Sequence, residues 1–463
     1  MIQRTHLWRA AFPVILMAAF VVYRPDQAVR VATGVVAHDV CTKVFVSGLD
    51  SGPAFAETLT RQGIRQVAWG LRYVVDRSAK AVTASLLGQA SRRAEFHDGL
   101  GCVLMNGPDV PVLPSTNIAA LKASLVPPLL PDIAGSTLVE PADAKLKAAF
   151  DHAFEEPAAP PYRITKAVVV VKDGRVLAER YAPGIGIDTP LHGFSMTKSV
   201  INALIGILVK QGRLTPSQPA PLAAWRDVTN PRHAITIEHL MRMTSGLALD
   251  ETNSGFDASS RMLYLHGDMA AFAARAAVVA PPGTRWTYSS PSTHLLSRII
   301  RDSVGGKPED TLAFAWRELF GPLGMRTVTL EVNETGTVIG ATYMFASARD
   351  WARFGLLYLN DGMLGDRRLL PEGWVAFSAT ATLDTDYGAG FWTNRSGHEY
   401  AKLRASRGIP RDAFFASGDL GQRIVVLPSQ GLVIVRLGDA VEQTGDSRGV
   451  ARLVSEVIEA TGG

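Results

Sequence analysis

Ser195-Met196-Thr197-Lys198 is the one place in the chain where a lysine stands three residues after a serine, and it opens an apolar stretch with helical spacing. Residues three apart share a helix face, so the Lys198 amine would stand one turn above the Ser195 hydroxyl. A serine hydroxyl is a weak nucleophile until a base removes its proton, and a lysine does this only as the neutral amine. Burial and the positive end of a helix dipole both disfavour the ammonium form. The same helix start would turn backbone N–H groups toward an oxyanion. The four residues also fit a plainer reading, a helix start capped by Ser195 with Lys198 in solvent.

Two further segments carry residues that such chemistry could use. Tyr288 lies in Pro282-Gly283-Thr284-Arg285-Trp286-Thr287-Tyr288-Ser289-Ser290, ahead of a helical pattern, and Phe415-Ala416-Ser417-Gly418-Asp419-Leu420-Gly421-Gln422 precedes a strand pair near the end. The elements that must position them alternate between sheet and helix. Ala167–Val171 and Arg175–Tyr181 read as strands joined through Asp173-Gly174, a strong hairpin signal. Gln422–Leu427 and Leu432–Leu437 read as a second hairpin around Pro428-Ser429-Gln430-Gly431, and residues 447–460 as a helix able to cover the sheet. Between the hairpins, helical spacing recurs over 200–210, 237–243, 292–303, 308–319 and 347–359. The expected fold class is α+β: an antiparallel sheet made by the two ends of this region, flanked by helices, with a helical subdomain inserted.

At the front, Arg4 and Arg9 precede an apolar run from Ala10 to Tyr23 that ends at Arg24, which fits a secretory signal core better than a spanning helix. Residues 1–31 are therefore expected to be a signal peptide or, because no clean small-x-small cleavage site follows, a membrane anchor. A buried N-terminal helix is the plainer alternative. The protein is expected to be exported, to the periplasm or cell envelope. Cys41 and Cys102 are the only cysteines, and in an oxidising compartment they are expected to pair; two buried free thiols are the other possibility. Both fall in a small module, 32–130, separated by the proline-containing stretch 126–131 from the main body at 131–463. Within the module, Lys43-Val44-Phe45-Val46 and Val67–Asp76 read as strands, and beyond it a helix is expected over 142–154. Lys and Arg total 47 against 43 Asp and Glu, a net charge of +4 with no dense basic run, so nucleic acid is not expected as a partner.

His192-Gly193-Phe194-Ser195-Met196-Thr197-Lys198-Ser199-Val200 resembles the first motif of the large serine hydrolase family that includes class C β-lactamases, D-alanyl-D-alanine carboxypeptidases, related esterases and 6-aminohexanoate-dimer hydrolases. The family's Tyr-x-Asn or Tyr-x-Ser motif falls on Tyr288-Ser289-Ser290, and its Thr-Ser-Gly-Leu turn on Thr244-Ser245-Gly246-Leu247. Its Lys/His-x-Gly strand falls on Ala416-Ser417-Gly418, and the resemblance spans about 165–460. It implies the β-lactamase-like (transpeptidase-like) fold. It also implies Ser195 as nucleophile, with Lys198 and Tyr288 sharing the proton transfers through an acyl-enzyme. Tyr288 would act as base only if neighbouring cations favoured the phenolate, and otherwise as proton relay or donor. The backbone N–H groups of Ser195 and Asp419 would form the oxyanion hole, and Gly418 would let the strand approach the substrate.

Departures from the family pattern narrow the substrate. Ala416 replaces the lysine that helps bind the substrate carboxylate in β-lactamases and many peptidases, and Ser290 replaces the asparagine, as in the 6-aminohexanoate-dimer hydrolase group. The expectation is an ester or amide substrate other than a β-lactam, bound by Ser290, Ala416, Ser417, Gly418, Trp392 and Asp257. Trp392 fits equally a pocket wall or a core position, Asp257 a ligand for a substrate amine or a turn. Arg404 and Arg407 stand near the third motif, as a displaced carboxylate partner or as surface residues. No metal or organic cofactor is implied, for neither metal-ligand spacing nor a phosphate-binding loop occurs. β-Lactamase or D-Ala-D-Ala peptidase activity is one alternative, and a non-catalytic envelope protein that binds peptidoglycan fragments or a partner in the same cleft is the other.

Overall fold

The computed structural model describes residues 24–106, 120–121, 127–252, 254–442 and 444–462. Its centre is a six-stranded antiparallel sheet in the order Trp392–Thr393, Phe414–Ser417, Arg423–Leu427, Leu432–Gly438, Thr165–Lys172, Arg175–Tyr181. The two sequence-legible hairpins therefore lie side by side, the last hairpin pairing with the first strand of the region. Asp173 and Gly174 both take positive φ, 50° and 79°, the backbone that a tight turn between right-twisted strands requires. Both faces of the sheet are covered, which is why Ala167–Val171 is apolar without alternation. Val168, Val170 and Ala178 face one layer with the helices Ala144–Phe154 and Ser447–Ala460. Ala167, Val169, Val171 and Val176 face the larger helical layer on the other side. In the helix Ser447–Ala460, Val450, Leu453, Val454 and Val457 are buried at the spacing of one helix face, each contributing roughly 1.5–3 kcal/mol.

That larger layer holds the helices that position the chemistry: Thr197–Lys210, Ser290–Val304 and Ala348–Leu359. Thr197–Lys210 is buried almost throughout, from Thr197 to Leu208. The expected helix over 308–319 is instead Pro308–Ala315 followed by a wider turn, Trp316–Phe320.

The N-terminal residues build a four-stranded antiparallel sheet, Leu71–Asp76, Ala81–Leu86, Gln89–His97 and Gly101–Met105, packed on the helix Pro25–Cys41 around its own apolar cluster. Cys41, the last residue of that helix, is disulfide-bonded to Cys102 in the fourth strand. Two expectations change here. Lys43–Val46 is not a strand but lies in a wide helical turn, Thr42–Val46, that continues the first helix; an apolar run as short as Val44–Val46 does not distinguish the two. Of Val67–Asp76, only Leu71–Asp76 is strand, two short 3₁₀ turns preceding it. A boundary at residue 31 falls inside the helix Pro25–Cys41, whose first position is set by Pro25. The apolar run Ala10 to Tyr23 lies outside the described residues. Among those described, no helix is long and apolar enough to cross a membrane.

The module is not a bead on a string. The helix Pro25–Cys41 also packs on Ala258–Leu265, with Tyr264 and Leu265 joining its cluster. Lys43 Nζ lies 2.9 Å from Glu57 and 3.3 Å from Asp439, and Lys166 Nζ 2.8 Å and 2.7 Å from the same two carboxylates. Nor is the proline stretch a bare spacer, since the N–H groups of Leu129 and Leu130 donate to Pro322 and that of Val176 to Ile133.

Candidate active site

Ser195 lies in a 3₁₀ turn, Phe194–Met196, that leads into Thr197–Lys210, so it does not cap the helix. Lys198, in the helix's first turn, is 2% exposed, which removes the reading of a solvated surface lysine. Its Nζ is 2.8 Å from Ser195 Oγ, 2.9 Å from Ser290 Oγ and 2.9 Å from the Ala341 carbonyl oxygen. Burial pulls the amine down to about 8 although the nearby carboxyl groups of Glu251 and Asp419 oppose it, so about a tenth of it is neutral at pH 7 and about half near pH 8. Phe194, just before Ser195, has φ of 47°, a left-handed backbone that a bulky residue adopts only when its surroundings impose it. Its ring stacks on His192 at 3.6 Å between centroids, and the Arg61 guanidinium of the N-terminal module lies 5.1 Å from its centre.

The motif Tyr288-Ser289-Ser290 is placed by a helix start. Ser289 caps Ser290–Val304 by accepting from the Ser292 N–H, which puts Ser290 at the first helical position beside Lys198. Ser290, expected to touch substrate, is therefore first a partner of the base, although it also lines the cleft. Tyr288 lies with its ring centre 4.9 Å from Lys198 Nζ. Burial pushes its phenol well above the usual value of 10, the nearby Glu251 adds to this, and the hydrogen bond with Ser195 opposes it without prevailing. Tyr288 is thus a neutral phenol, suited to relay or donate a proton rather than to remove one. Trp286, Tyr387 and Trp392 surround it, with Trp392 5.7 Å away between ring centroids. Trp392 buttresses the tyrosine and does not wall the main cleft.

The third segment reaches the site through its backbone. Phe414–Ser417 is the strand, and Ala416 on it is fully buried in the larger core with Phe414, Ile424 and Val426 and does not line the cleft. Neither Ser417 nor Gly418 lines the cleft. Gly418 instead meets the turn that carries Ser195: a Cβ there would lie 2.3 Å from the Gly193 carbonyl oxygen and 3.1 Å from Phe194 Cβ. Beyond it, Asp419 lines the cleft with Ser195. Among the described residues, neither the Ser195 N–H nor the Asp419 N–H donates to a backbone carbonyl. Both remain available to an oxyanion.

A protein-family model described as Beta-lactamase matches residues 150–457, more than half of the chain, and that span contains Ser195, Lys198, Tyr288, Ser290 and Asp419. The chain belongs to the beta-lactamase family. Among curated relatives of this beta-lactamase family member is a 6-aminohexanoate-dimer hydrolase from Paenarthrobacter ureafaciens, 24% identical over 316 residues that cover 64% of this chain and 79% of the relative. Among solved structures, a penicillin-binding protein homologue from Caulobacter crescentus superposes with a TM-score of 0.53 at 20% identity, covering 70% of this chain and 100% of that one. A family VIII carboxylesterase reaches a TM-score of 0.54 at 15% identity, covering 70% and 98%. The fold expected from the sequence is the fold observed, and family membership makes the chain a hydrolase.

The cleft of this beta-lactamase family member, 730 Å³ in volume, contains a residue the sequence reading missed. Glu251 lines it, accepts from the Ser290 N–H at 2.6 Å and from the Ser259 hydroxyl at 3.2 Å, and so sits at the start of the helix that carries Ser290. Only its place in the loop after the Thr-Ser-Gly-Leu turn could have pointed to it. In that loop Asp257 is the expected ligand, but its carboxylate is buried and spent on Ser254 and Ser260 as the cap of Ala258–Leu265. Arg404 is likewise engaged, with Asp386 at 2.9 Å and Asn394 at 3.1 Å, and Arg407 ends the helix Glu399–Ser406. One wall of the cleft comes from outside the family match, from Val31, Ala32 and Val35 of the first helix and from Arg61. Among the described residues no group of three or more His, Cys, Asp or Glu side chains is placed to hold a metal ion.

Proposed function

We propose that this protein is an exported serine hydrolase that cleaves an ester or amide through an acyl-enzyme on Ser195. The observation that carries the reading is the buried contact of Lys198 Nζ with Ser195 Oγ at 2.8 Å, with Ser290 and Ala341 holding the amine in place. Ser195 Oγ attacks the substrate carbonyl carbon as its proton passes to the neutral Lys198 amine. The carbonyl oxygen becomes an oxyanion between the N–H groups of Ser195 and Asp419. As the intermediate collapses, the proton returns through Tyr288 to the departing alcohol or amine. Water then attacks the acyl ester by the reverse relay, freeing the acid and Ser195. The position of Ala416 in the core leaves that strand without a cation for a β-lactam carboxylate, which favours esters and amides like those of the 6-aminohexanoate-dimer hydrolase and carboxylesterase relatives. Export is supported by the charged and apolar leader pattern and by the Cys41–Cys102 bond.

An active-site serine probe such as a fluorophosphonate is expected to label the wild-type protein and not Ser195→Ala, and the same substitution is expected to abolish hydrolysis of short p-nitrophenyl esters. A folded wild-type protein that takes no label would refute the catalytic reading in favour of ligand binding. Rapid turnover of a chromogenic cephalosporin would overturn the substrate preference.

A further inference from the structure

The cleft has a cation that the family match does not supply. Arg61 follows the helix Ser51–Leu59 of the N-terminal module, lines the same cleft as Ser195, and keeps 14% of its side chain exposed. Its guanidinium makes one ion pair, Nη2 to Asp39 Oδ1 at 2.6 Å. Asp39 cannot take the rest of the fork, because its other oxygen is held by the Thr58 hydroxyl and lies 3.4 Å from Lys43 Nζ. Among the described residues its buried Nε finds no acceptor and Nη1 donates no hydrogen bond. A guanidinium carries five donors and suits a planar acceptor, so the unbonded Nη1, on the part of the side chain that remains exposed, can donate to a ligand carboxylate oxygen. Phe194 beneath it, 5.1 Å from Cζ, ties its position to the nucleophile's turn.

The carboxyl groups around the cleft do not satisfy it. Glu251 is turned to the Ser290 N–H and the Ser259 hydroxyl. Burial pushes the Asp419 carboxyl above its usual value, with the Arg61 charge opposing, which weakens it as a competitor. Glu442 lines the same cleft and sets the contrary possibility, a cationic substrate.

We propose that Arg61 of the N-terminal module is the carboxylate anchor of the active site, so that the substrate is an ester or amide bearing a free carboxylate. This rests on the hydrolase reading above and deepens it. It gives the module a part in the reaction: with Ala416 in the core, the cation that fixes an anionic substrate comes from the opposite wall. Arg61 acts on binding and specificity, and no proton or bond moves at it.

The test compares p-nitrophenyl hydrogen adipate with its methyl ester and with p-nitrophenyl 5-(trimethylammonio)pentanoate. Wild-type kcat/KM is expected to be highest for the acid. In Arg61→Gln the ratio of acid to methyl ester should fall roughly 10- to 100-fold, mostly through KM, with Arg61→Lys recovering part of it. A wild-type preference for either of the other two esters, or an equal loss on acid and methyl ester in Arg61→Gln, would overturn the assignment. If Arg61→Gln does not fold, wild-type hydrolysis of the methyl ester should be inhibited competitively by monomethyl adipate and not by dimethyl adipate; equal inhibition overturns it. Should no ester turn over and Ser195 take no probe, the hydrolase reading fails by itself. Calorimetric binding of monomethyl adipate to wild type but not to Arg61→Gln would then still support the anchor, and no binding would refute it.

Discussion

Gly418 and Gly193 are so close that a Cβ on the first would lie 2.3 Å from the carbonyl oxygen of the second. The strand that bears the third motif is thereby set against the turn that bears the nucleophile, and the acceptor of any clash is backbone, which cannot swing aside as a side chain can. Gly418→Ala is expected to lower stability by about 1–3 kcal/mol and to reduce kcat at least tenfold, because the Ser195 turn must shift. Thermal melts together with ester hydrolysis check it; a fully active variant would show that the turn yields freely.

Lys198 governs the pH dependence. The base form is needed, so kcat/KM should rise with pH and level off above about 8. Glu251 favours the ammonium, and Glu251→Gln, which keeps an acceptor for the Ser290 N–H, should move the rise to lower pH by about half to one pH unit. The folded-state value lies below that of an unfolded lysine, so the unfolded chain binds more protons between the two values. This group therefore makes stability increase with pH from about 8 toward 10. A pH-rate profile that stays put in Glu251→Gln would remove Glu251 from the electrostatics of the base.

Tyr288 is held neutral by burial, so its hydroxyl should serve as relay. Tyr288→Phe is expected to reduce kcat about 10²–10⁴-fold while the rise near pH 8 persists. Loss of that rise would instead make Tyr288 the base.

The Cys41–Cys102 bond closes a loop of 61 residues in sequence separation, for which chain entropy gives roughly 4 kcal/mol. Because the helix ending at Cys41 also supplies Val31, Ala32 and Val35 to the cleft, the double Cys→Ala variant should both melt earlier and show a raised KM. Denaturant melts and ester kinetics on the same preparation separate the two effects.

What the sequence made legible follows from how local each signal is. Ser195, Lys198 and Tyr288 sit in short motifs whose order along the chain reflects the fold, and both hairpins of the central sheet announce themselves by turn residues and apolar runs. Glu251 gave no such signal, since a glutamate in a polar loop becomes a site residue only through its contact with a helix start 39 residues on. The burial of Ala416 was not legible for a related reason: the alternation of a strand decides which face a side chain takes, and a three-residue motif does not carry that phase. Asp257 and Glu251 are six residues apart in one loop, and capping claimed the one that looked freer. The wide helical turn at Lys43–Val46 was not legible because so short an apolar run fits either element.

Lys43 meets Asp439 across 396 positions of sequence. A ribosome releases the lysine early and the aspartate only near the end, so during synthesis Lys43 has Asp39 and Glu57 of its own module beside it but not yet the carboxylate that ties it to the central sheet. The tie between the wall that carries Arg61 and Asp439 can therefore form only when synthesis is nearly complete. A chain still being made has the catalytic serine and lysine before it has a finished cleft.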